Sequence, residues 1–179
     1  MKHIISFITI SLAFVTLASA QTGPSATEIL TDACKIAGAE NKKVFVMFTA
    51  SWCGWCKRMD KSMEDEDCKK YFDDNFVIRH FVVDESMDKK NLETPSAIEF
   101  RKKYGGEGQG IPFWLIFDKE GNLLADSMRP DGSTGNKLNA ACPAEPTEVA
   151  YFISVLKKTT DLKEDQLEKI SKRFSKNRN

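Results

Sequence analysis

The chain has 179 residues, of which 41% are hydrophobic, and its 26 basic side chains balance 26 acidic ones. This length suits one domain and is sufficient to bury a core without covalent staples. The balanced charge argues against a chain-wide basic surface for nucleic acid, so no nucleic-acid partner is expected, and the locally basic end SKRFSKNRN is interpreted as a solvated helix end.

Residues 1–20, MKHIISFITISLAFVTLASA, differ in character from the rest of the chain. A basic start, a short apolar run and the small residues Ala18-Ser19-Ala20 predict a secretory signal peptide that is removed after Ala20. A transmembrane anchor is the alternative, but the apolar run is shorter than the about 20 residues that a span needs. We therefore expect an exported protein, periplasmic or secreted, with no stable membrane span once the signal is removed.

After a short linker at residues 21–25, helices and strands are predicted to alternate. Apolar periodicity, caps and breakers give the following order. We predict a helix capped by Thr27 to about Ala39, a buried strand at 43–50, a helix from Cys53 or Gly54 to about Ser62, a helix at 67–72, a buried strand at 76–84, and a helix at 94–103.

The second half begins with the breaker GGEGQG at residues 105–110. There follow a strand at 112–117, a turn, a strand at 123–128, a long loop at 129–146, and helices at 147–158 and 163–176. This alternation predicts an α/β fold with a central mixed sheet and helices on both faces. Leu162, Leu167, Ile170 and Phe174 have helical spacing, which favours packing of the last helix on the domain over dimer formation, so we expect a monomer.

The motif SWCGWCK, residues 51–57, places two cysteines on either side of two residues. A thiolate attacks a disulfide sulfur to form a mixed disulfide, and a second thiol one helical turn away can then release the product. If a helix starts at Cys53, its free N–H groups and positive dipole end stabilise the thiolate there. Cys53 is then the nucleophile and Cys56 the resolving thiol, with Lys57 as a nearby cation and Trp52 as a flat wall for substrate.

A structural zinc site is the alternative use of such a pair. It needs four ligands, usually in two close pairs, and this chain has a single Cys-x-x-Cys. We therefore expect no metal, and no cofactor beyond the Cys53–Cys56 disulfide itself.

Three further segments join the motif in a recognisable pattern. The motif WCGWCK is accompanied by the strand residues Val82-Val83-Asp84. It is also accompanied by the stretch KYGGEGQGIPFWLIFDKEG and by the hairpin and helix that follow this stretch. The chain thus resembles the thioredoxin-like superfamily, in particular exported bacterial members with a C-terminal helical extension. The resemblance implies a thioredoxin-like domain at 26–158 and an extension at 159–179.

The resemblance also implies where substrate binds. The Ile111–Pro112 bond would be cis and lie beside the redox pair, and the backbone of Ile111 would pair with the substrate chain. The substrate-binding residues implied in this way are Trp52, Gly54, Trp55, Ile111 and Pro112.

Two positions depart from the family pattern. Met47 stands where many thioredoxins have a buried aspartate, and His80 stands where such proteins often have a lysine. One hypothesis is that His80 tunes or deprotonates Cys56, and Lys57 is assigned to pKa tuning as a nearby cation. The alternative for His80 is a strand histidine without a chemical role. The Gly-Trp spacer, in place of Gly-Pro, favours a reductase or exchange enzyme over a strong oxidant.

Three cysteines remain outside the motif, so the odd total of five leaves at least one without an intrachain partner. Cys34 falls on the apolar stripe of a helix and is predicted to be buried and inert, and Cys68 is expected in the core. Cys142, in the long loop, could serve as an extra thiol or form a bridge with Cys34 or Cys68.

These observations predict an exported thiol–disulfide oxidoreductase, similar to a protein disulfide reductase or isomerase. Its partners would be protein thiols and disulfides and an unidentified redox donor or acceptor. The alternative is a redox-inactive binding protein that holds partners in the Ile111-Pro112 groove with the 129–146 loop.

Overall fold

A computed structural model describes residues 23–178 of the chain. The predicted signal peptide, residues 1–20, lies outside the described residues, as does the start of the predicted linker. Between residues 23 and 178, none of the helices combines the length and the apolar character that crossing a bilayer requires.

Helices and strands alternate in the predicted order. The structure contains α1 (Ala26–Glu40), β1 (Lys43–Thr49), α2 (Gly54–Met63), α3 (Lys69–Asn75), β2 (Phe76–Val82), a 3₁₀ helix (Met87–Leu92), α4 (Ala97–Lys103), β3 (Phe113–Phe117), β4 (Leu123–Asp126), β5 (Met128–Pro130), β6 (Lys137–Asn139), α5 (Pro146–Thr159), α6 (Glu164–Ser175) and a terminal 3₁₀ turn (Lys176–Arg178).

The main sheet has the strand order β2-β1-β3-β4. Strand β1 runs parallel to β2 and antiparallel to β3, and β4 is antiparallel to β3. The five residues 44–48 of β1 are fully buried, as a strand covered on both faces requires. The predicted α/β class with a mixed sheet is confirmed.

Two apolar clusters cover the two faces of this sheet. Helices α1 and α4 pack on one face, where Leu30 and Phe100 meet the even-numbered residues of β1. Helices α2, α3, α5 and α6 pack on the other face, which also holds Cys53 and Cys56. Helices on both faces are therefore confirmed, and the redox motif belongs to the second cluster.

The C-terminal helix is part of that second cluster. Leu167, Ile170 and Phe174 are buried, while Leu162 is half-buried. The ring of Phe174 lies 4.9 Å from that of Phe152, centroid to centroid, and 6.1 Å from that of Phe72. The predicted packing of this helix on the domain is confirmed.

The start of α1 differs from the prediction in its capping residue. Ser25, rather than Thr27, is the N-cap: the Glu28 N–H donates to its Oγ at 3.4 Å, and its own N–H donates to Glu28 Oε2 at 2.7 Å. Ser and Glu three residues apart form a capping box, which satisfies two free N–H groups at once and therefore prevails over Thr27.

The prediction of a loop at 129–146 is wrong for the first part of this segment. It contains most of a small hairpin in which Met128 pairs with Asn139 and Pro130 with Lys137. The Tyr151 hydroxyl of α5 contacts the carbonyls of Asp126 and Met128 at 3.0 and 3.3 Å and so anchors the hairpin to the domain. Strands of three residues leave too short a pattern for alternation to be recognised.

Candidate active site

Cys53 and Cys56 are joined by a disulfide, with Cα atoms 5.3 Å apart. Strand β1 ends at Thr49, the chain turns through residues 50–52, and Cys53 is the N-cap of α2. The prediction that a helix begins at Cys53 or Gly54 is confirmed. The redox pair therefore lies between a strand whose central five residues are fully buried and the first turn of a helix.

The two sulfur atoms have different surroundings. The Cys56 N–H donates to Cys53 Sγ across 3.1 Å, so the first turn of α2 presents a free donor to that sulfur. Cys56 Sγ is fully buried and lies 4.0 Å from the carbonyl oxygen of Phe48. When the pair is reduced, the helix N-terminus stabilises a thiolate at Cys53 rather than at Cys56.

Glu85 and Asp84, which follow β2, hold the turn that precedes Cys53. Glu85 accepts from the backbone N–H and the hydroxyl of Ser51, at 2.5 and 2.8 Å, and is itself 4% exposed. The carbonyl of Asp84 accepts the indole N–H of Trp52 at 2.9 Å. Sequence reasoning missed the role of Glu85, although parallel strands bring their carboxyl ends to one sheet edge.

Asp84 is itself held in place from α4. Its φ of 54° lies in the left-handed region, which non-glycine residues seldom adopt. Arg101 donates to both of its carboxylate oxygens, at 2.6 and 3.2 Å, and this paired geometry keeps the residue in that conformation.

Both tryptophans of the motif are exposed, Trp52 to 59% and Trp55 to 49%. The Arg58 guanidinium lies 4.8 Å from the centre of the Trp55 ring, within cation–π distance. A Cβ atom added at Gly54 would meet nothing within 4 Å. The motif therefore presents two large apolar surfaces with open space between them.

The Ile111–Pro112 bond is cis, as the resemblance implies. The carbonyl oxygen of Ile111 lies 3.7 Å from Cys53 Sγ, so this segment reaches the redox pair. The Asn139 side chain donates to the carbonyls of Gly110 and Pro112, at 2.7 and 3.1 Å. Strand β6 thereby positions the segment, a contribution that sequence reasoning did not anticipate.

His80 contacts an acidic side chain of α2. Met47 and His80 are paired across β1 and β2, and His80 Nε2 lies 2.8 Å from Asp60 Oδ1. Asp60 follows Cys56 by four positions, about one helical turn. The tuning of Cys56 by His80 stays a prediction, and so does that by Lys57, which is exposed and bonds through its backbone N–H to the Cys53 carbonyl.

The three remaining cysteines are buried and not in disulfides. The hypothesis of a bridge from Cys142 to Cys34 or Cys68 is therefore wrong for this structure. Burial raises the pKa of the Cys68 thiol to about 11 and that of the Cys142 thiol to about 12, and it also raises the pKa of Cys34. These thiols are protonated and unreactive near neutral pH.

A cavity of about 380 Å³ opens beside the disulfide. We call it the side groove; its lining residues are Trp55, Ile111, Ala141, Cys142, Ala144, Glu145, Glu148 and Arg178. Trp55 and Ile111 flank the redox pair, whereas the others come from the segment after β6, from α5 and from the terminal turn. The end of the predicted 129–146 loop thus borders the site.

No group of three or more His, Cys, Asp and Glu side chains is arranged to hold a metal ion within residues 23–178. Two candidate metal ligands near the motif already have other partners: His80 contacts Asp60, and Glu85 accepts a hydrogen bond from Ser51. The chemistry that the arrangement itself offers is that of a disulfide in which residue Cys53 is 3% exposed and residue Cys56 is fully buried.

Comparisons with known proteins place this geometry in context. A structure titled disulphide isomerase from Xylella fastidiosa Temecula1 is 17% identical, covering 96% of this chain and 100% of that one with a TM-score of 0.47. A DsbH oxidoreductase is 22% identical, with 85% and 95% covered and a TM-score of 0.37. The oxidised DsbD C-terminal domain of Neisseria meningitidis is 21% identical, with 57% and 83% covered and a TM-score of 0.40. No curated protein matches the chain.

The sequence match to a family decides the assignment. Residues 30–131 match the family described as thioredoxin-like domain, and this range runs from α1 through β5. It includes the Cys53–Cys56 pair and the cis Ile111–Pro112 bond. Because the match covers more than half of the chain, the protein belongs to the thioredoxin-like domain family.

Proposed function

We propose that the protein is an exported thiol–disulfide oxidoreductase that exchanges disulfides with protein substrates, with Cys53 as nucleophile and Cys56 as resolving thiol. One observation carries the proposal: Cys53 Sγ lies at the helix N-terminus, receives the Cys56 N–H and faces the carbonyl of Ile111. A purely structural disulfide would not need a hydrogen-bond donor from a helix N-terminus at one of its sulfur atoms.

The first step starts from the reduced pair. The Cys53 thiolate attacks one sulfur of a substrate disulfide, the substrate S–S bond breaks, and the other substrate sulfur leaves as a thiolate. A mixed disulfide then joins Cys53 to the substrate. The exposed faces of Trp52 and Trp55 and the backbone of Ile111 and Pro112 provide the surface against which the substrate chain rests.

The second step uses the buried thiol. Cys56 loses its proton and attacks Cys53 Sγ, which breaks the mixed disulfide and releases the second substrate thiol. Two electrons have passed to the substrate, and the Cys53–Cys56 disulfide seen in the structure is the product. A dithiol donor must then reduce this disulfide before the next cycle.

The spacer between the two cysteines supports reduction or exchange over strong oxidation. The spacer residues Gly54 and Trp55 add no cation that would stabilise the reduced thiolate. Met47, which is fully buried, leaves its position without a carboxylate. Lys57 and His80 are assigned to tuning of the pair.

Export rests on the sequence of residues 1–20, whose basic start, apolar run and Ala18-Ser19-Ala20 end form a signal peptide pattern. We assign the mature protein to the periplasm or the extracellular space, as a monomer with residues 26–158 as its domain and 159–179 as its extension. A disulfide persists in such oxidising compartments.

Reduction of insulin in the presence of dithiothreitol tests the function. The wild-type chain is expected to accelerate insulin precipitation, Cys53→Ser to abolish the acceleration, and Cys34→Ser, a change far from the motif, to retain it. Equal rates for Cys53→Ser and the wild type would refute the proposal and favour a redox-inactive binding protein. Equilibration with glutathione then gives the direction: a potential near about −270 mV indicates a reductant, and one near about −120 mV an oxidant.

A further inference from the structure

Glu85 is a buried carboxylate at the edge of the sheet that carries the redox motif. It is 4% exposed, and the N–H and the hydroxyl of Ser51 donate to its two oxygens at 2.5 and 2.8 Å. Since both oxygens accept, the geometry is that of an ionised carboxylate, which has no proton to donate. The two Ser51 donors are neutral groups, so they hold the negative charge in place without cancelling it.

The charge of Glu85 lies close to the reacting sulfur. Ser51 precedes Cys53 by two positions, and the chain between them folds back, because the Cys53 N–H donates to the Ala50 carbonyl at 3.0 Å. Given about 3.8 Å between consecutive Cα atoms, the carboxylate is on the order of 10 Å from Cys53 Sγ. Cys53 is itself 3% exposed, so water and salt screen this interaction less than they would screen one at the surface.

Charged groups on the neighbouring elements are either paired or less buried than Glu85. Lys57 and Arg58, the cations of α2 that follow the motif, are exposed and therefore more strongly screened. Glu148 is half-buried and accepts backbone N–H groups at the start of α5. The paired groups, which contribute little net charge, are Asp84 with Arg101, Glu93 with Lys90, Asp60 with His80 and Glu145 with Arg178.

The field of Glu85 acts on one of the two redox states. In the disulfide neither sulfur is charged, whereas in the reduced pair Cys53, the N-cap of α2, is the residue whose thiolate the helix stabilises. The Glu85 carboxylate repels this thiolate and leaves the disulfide unaffected. Its charge therefore favours the oxidised pair and opposes the helix N-terminus, which favours the thiolate.

We propose that Glu85 is a positioning residue that biases the direction of electron flow: acting through Cys53, its charge disfavours the thiolate and makes the reduced pair a better electron donor. The inference rests on the proposed function and deepens it. In the favoured direction the Cys53 and Cys56 thiols become a disulfide, and the substrate disulfide takes up their two electrons and two protons to give two thiols. The bias operates at pH values at which the Cys53 thiolate is populated.

Glu85→Gln tests the charge. The amide can keep both contacts, since its oxygen accepts the Ser51 N–H and its N–H donates to the Ser51 hydroxyl oxygen. Peptide mass spectrometry measures the rate at which iodoacetamide labels Cys53 in the reduced protein against pH, and the midpoint of this curve reports thiolate formation. We expect a lower midpoint in Glu85→Gln, with about threefold or more thiolate below the wild-type midpoint. Equilibration with glutathione above the midpoint should favour the dithiol by a similar factor.

Two control variants separate the charge from the shape of the turn. Ser51→Ala disturbs the same turn but keeps the Glu85 charge, and Glu99→Gln removes a carboxylate from the exposed face of α4. Neither midpoint is expected to fall, and circular dichroism verifies that all three variants are folded. A fall in Ser51→Ala equal to that in Glu85→Gln would assign the effect to the turn and refute the role of the charge.

The two proposals fail in different ways. If Glu85→Gln has the wild-type midpoint and the wild-type equilibrium with glutathione, the role of Glu85 is refuted and the oxidoreductase function stands. If the wild-type protein does not accelerate the reduction of insulin, the proposed function itself is refuted. Labelling of Cys53 needs no substrate, so it measures the effect of Glu85 independently of activity.

Discussion

Glu85 accepts two hydrogen bonds from Ser51, one from the backbone N–H at 2.5 Å and one from the hydroxyl at 2.8 Å. This buried carboxylate, on the segment after β2, thereby fixes a residue two positions before Cys53. The sheet transmits this restraint, because β2 and β1 run parallel and end at the same edge.

Glu85→Ala is expected to destabilise the oxidised protein by about 1–3 kcal/mol, since it leaves the Ser51 N–H without its acceptor in a partly buried site. Glu85→Gln keeps an acceptor oxygen and should therefore lose less stability than Glu85→Ala. Urea unfolding measures both, with Glu99→Ala on the exposed face of α4 as control. An unfolding midpoint for Glu85→Ala equal to that of Glu99→Ala would contradict this role.

Cys56→Ser is expected to accumulate a mixed disulfide with substrate. Cys53 remains at the helix N-terminus and still attacks, but no thiol is left at position 56 to release the product. Non-reducing electrophoresis and intact mass after mixing with a disulfide protein should show a covalent adduct that dithiothreitol removes. The matched variant Cys53→Ser should form no such adduct. Adduct in Cys53→Ser and none in Cys56→Ser would reverse the assignment of the two thiols, and equal adduct in both would refute it.

The buried thiol of Cys142 should resist alkylation. Because burial raises its pKa from 9.0 to about 12, its thiolate fraction at pH 8 is about 1,000-fold smaller than that of an ordinary cysteine. Iodoacetamide at pH 8 should label Cys142 and Cys68 only after denaturation, as peptide mass spectrometry can quantify. Rapid labelling of Cys142 in the native oxidised protein would disprove this.

The same raised pKa values predict a loss of stability at alkaline pH. The folded state holds the proton of Cys142 and of Cys68 more tightly than the unfolded chain, with pKa values of about 12 and 11 against 9.0. The contribution of these two protonated thiols to the free energy of unfolding is complete below about pH 9, and it is lost as the pH rises from 9 towards 12. The free energy of unfolding should fall over this range in the wild type and fall less in Cys142→Ala.

Asn177 connects the end of the described chain to the active-site helix. Its side chain accepts from the Ser62 hydroxyl at 2.8 Å and donates to Cys142 Sγ and the Pro143 carbonyl at 3.4 and 3.1 Å. Asn177→Asp replaces the donor by an oxygen that faces these acceptors and should cost about 1–3 kcal/mol of stability. Thermal unfolding should show a clear decrease for Asn177→Asp and little change for Asn136→Asp, which is exposed on the hairpin loop.

Gly106 permits the close approach that positions Arg101. A Cβ atom at this position would lie 2.5 Å from Arg101 Cγ and 2.9 Å from a ring carbon of Phe113. Gly106→Ala should therefore displace Arg101 from Asp84 and cost about 1–3 kcal/mol. In Gly110→Ala the added Cβ meets nothing within 4 Å, so its unfolding midpoint should remain close to that of the wild type.

The sequence predicted the features that local pattern determines. Strand β1 and the helix start at Cys53 follow from an unbroken apolar run and from the motif after it, and the other predicted element boundaries agree with the structure to within three residues. The cis bond at Pro112 was available only through the resemblance, because most Xaa-Pro bonds are trans.

The rest of the site depends on contacts between distant residues. Ser51 and Glu85 are 34 positions apart, and Arg58 and Asn177 are 119 positions apart, so no local periodicity marks either pair. The hairpin of β5 and β6 has strands of three residues, below the length at which alternation is informative. His80 pairs with Met47 across β2 and β1, and its contact with Asp60 depends on the position of α2, which the sequence pattern does not give.

The packing of Phe174 against Phe72 and Phe152 has a consequence for synthesis of the protein. Cys53 and Cys56 leave the ribosome early, whereas the helix that carries Phe174 and completes their apolar cluster is translated more than a hundred residues later. The apolar cluster that holds Cys53 and Cys56 therefore lacks the Phe174 ring until translation has passed the last helix.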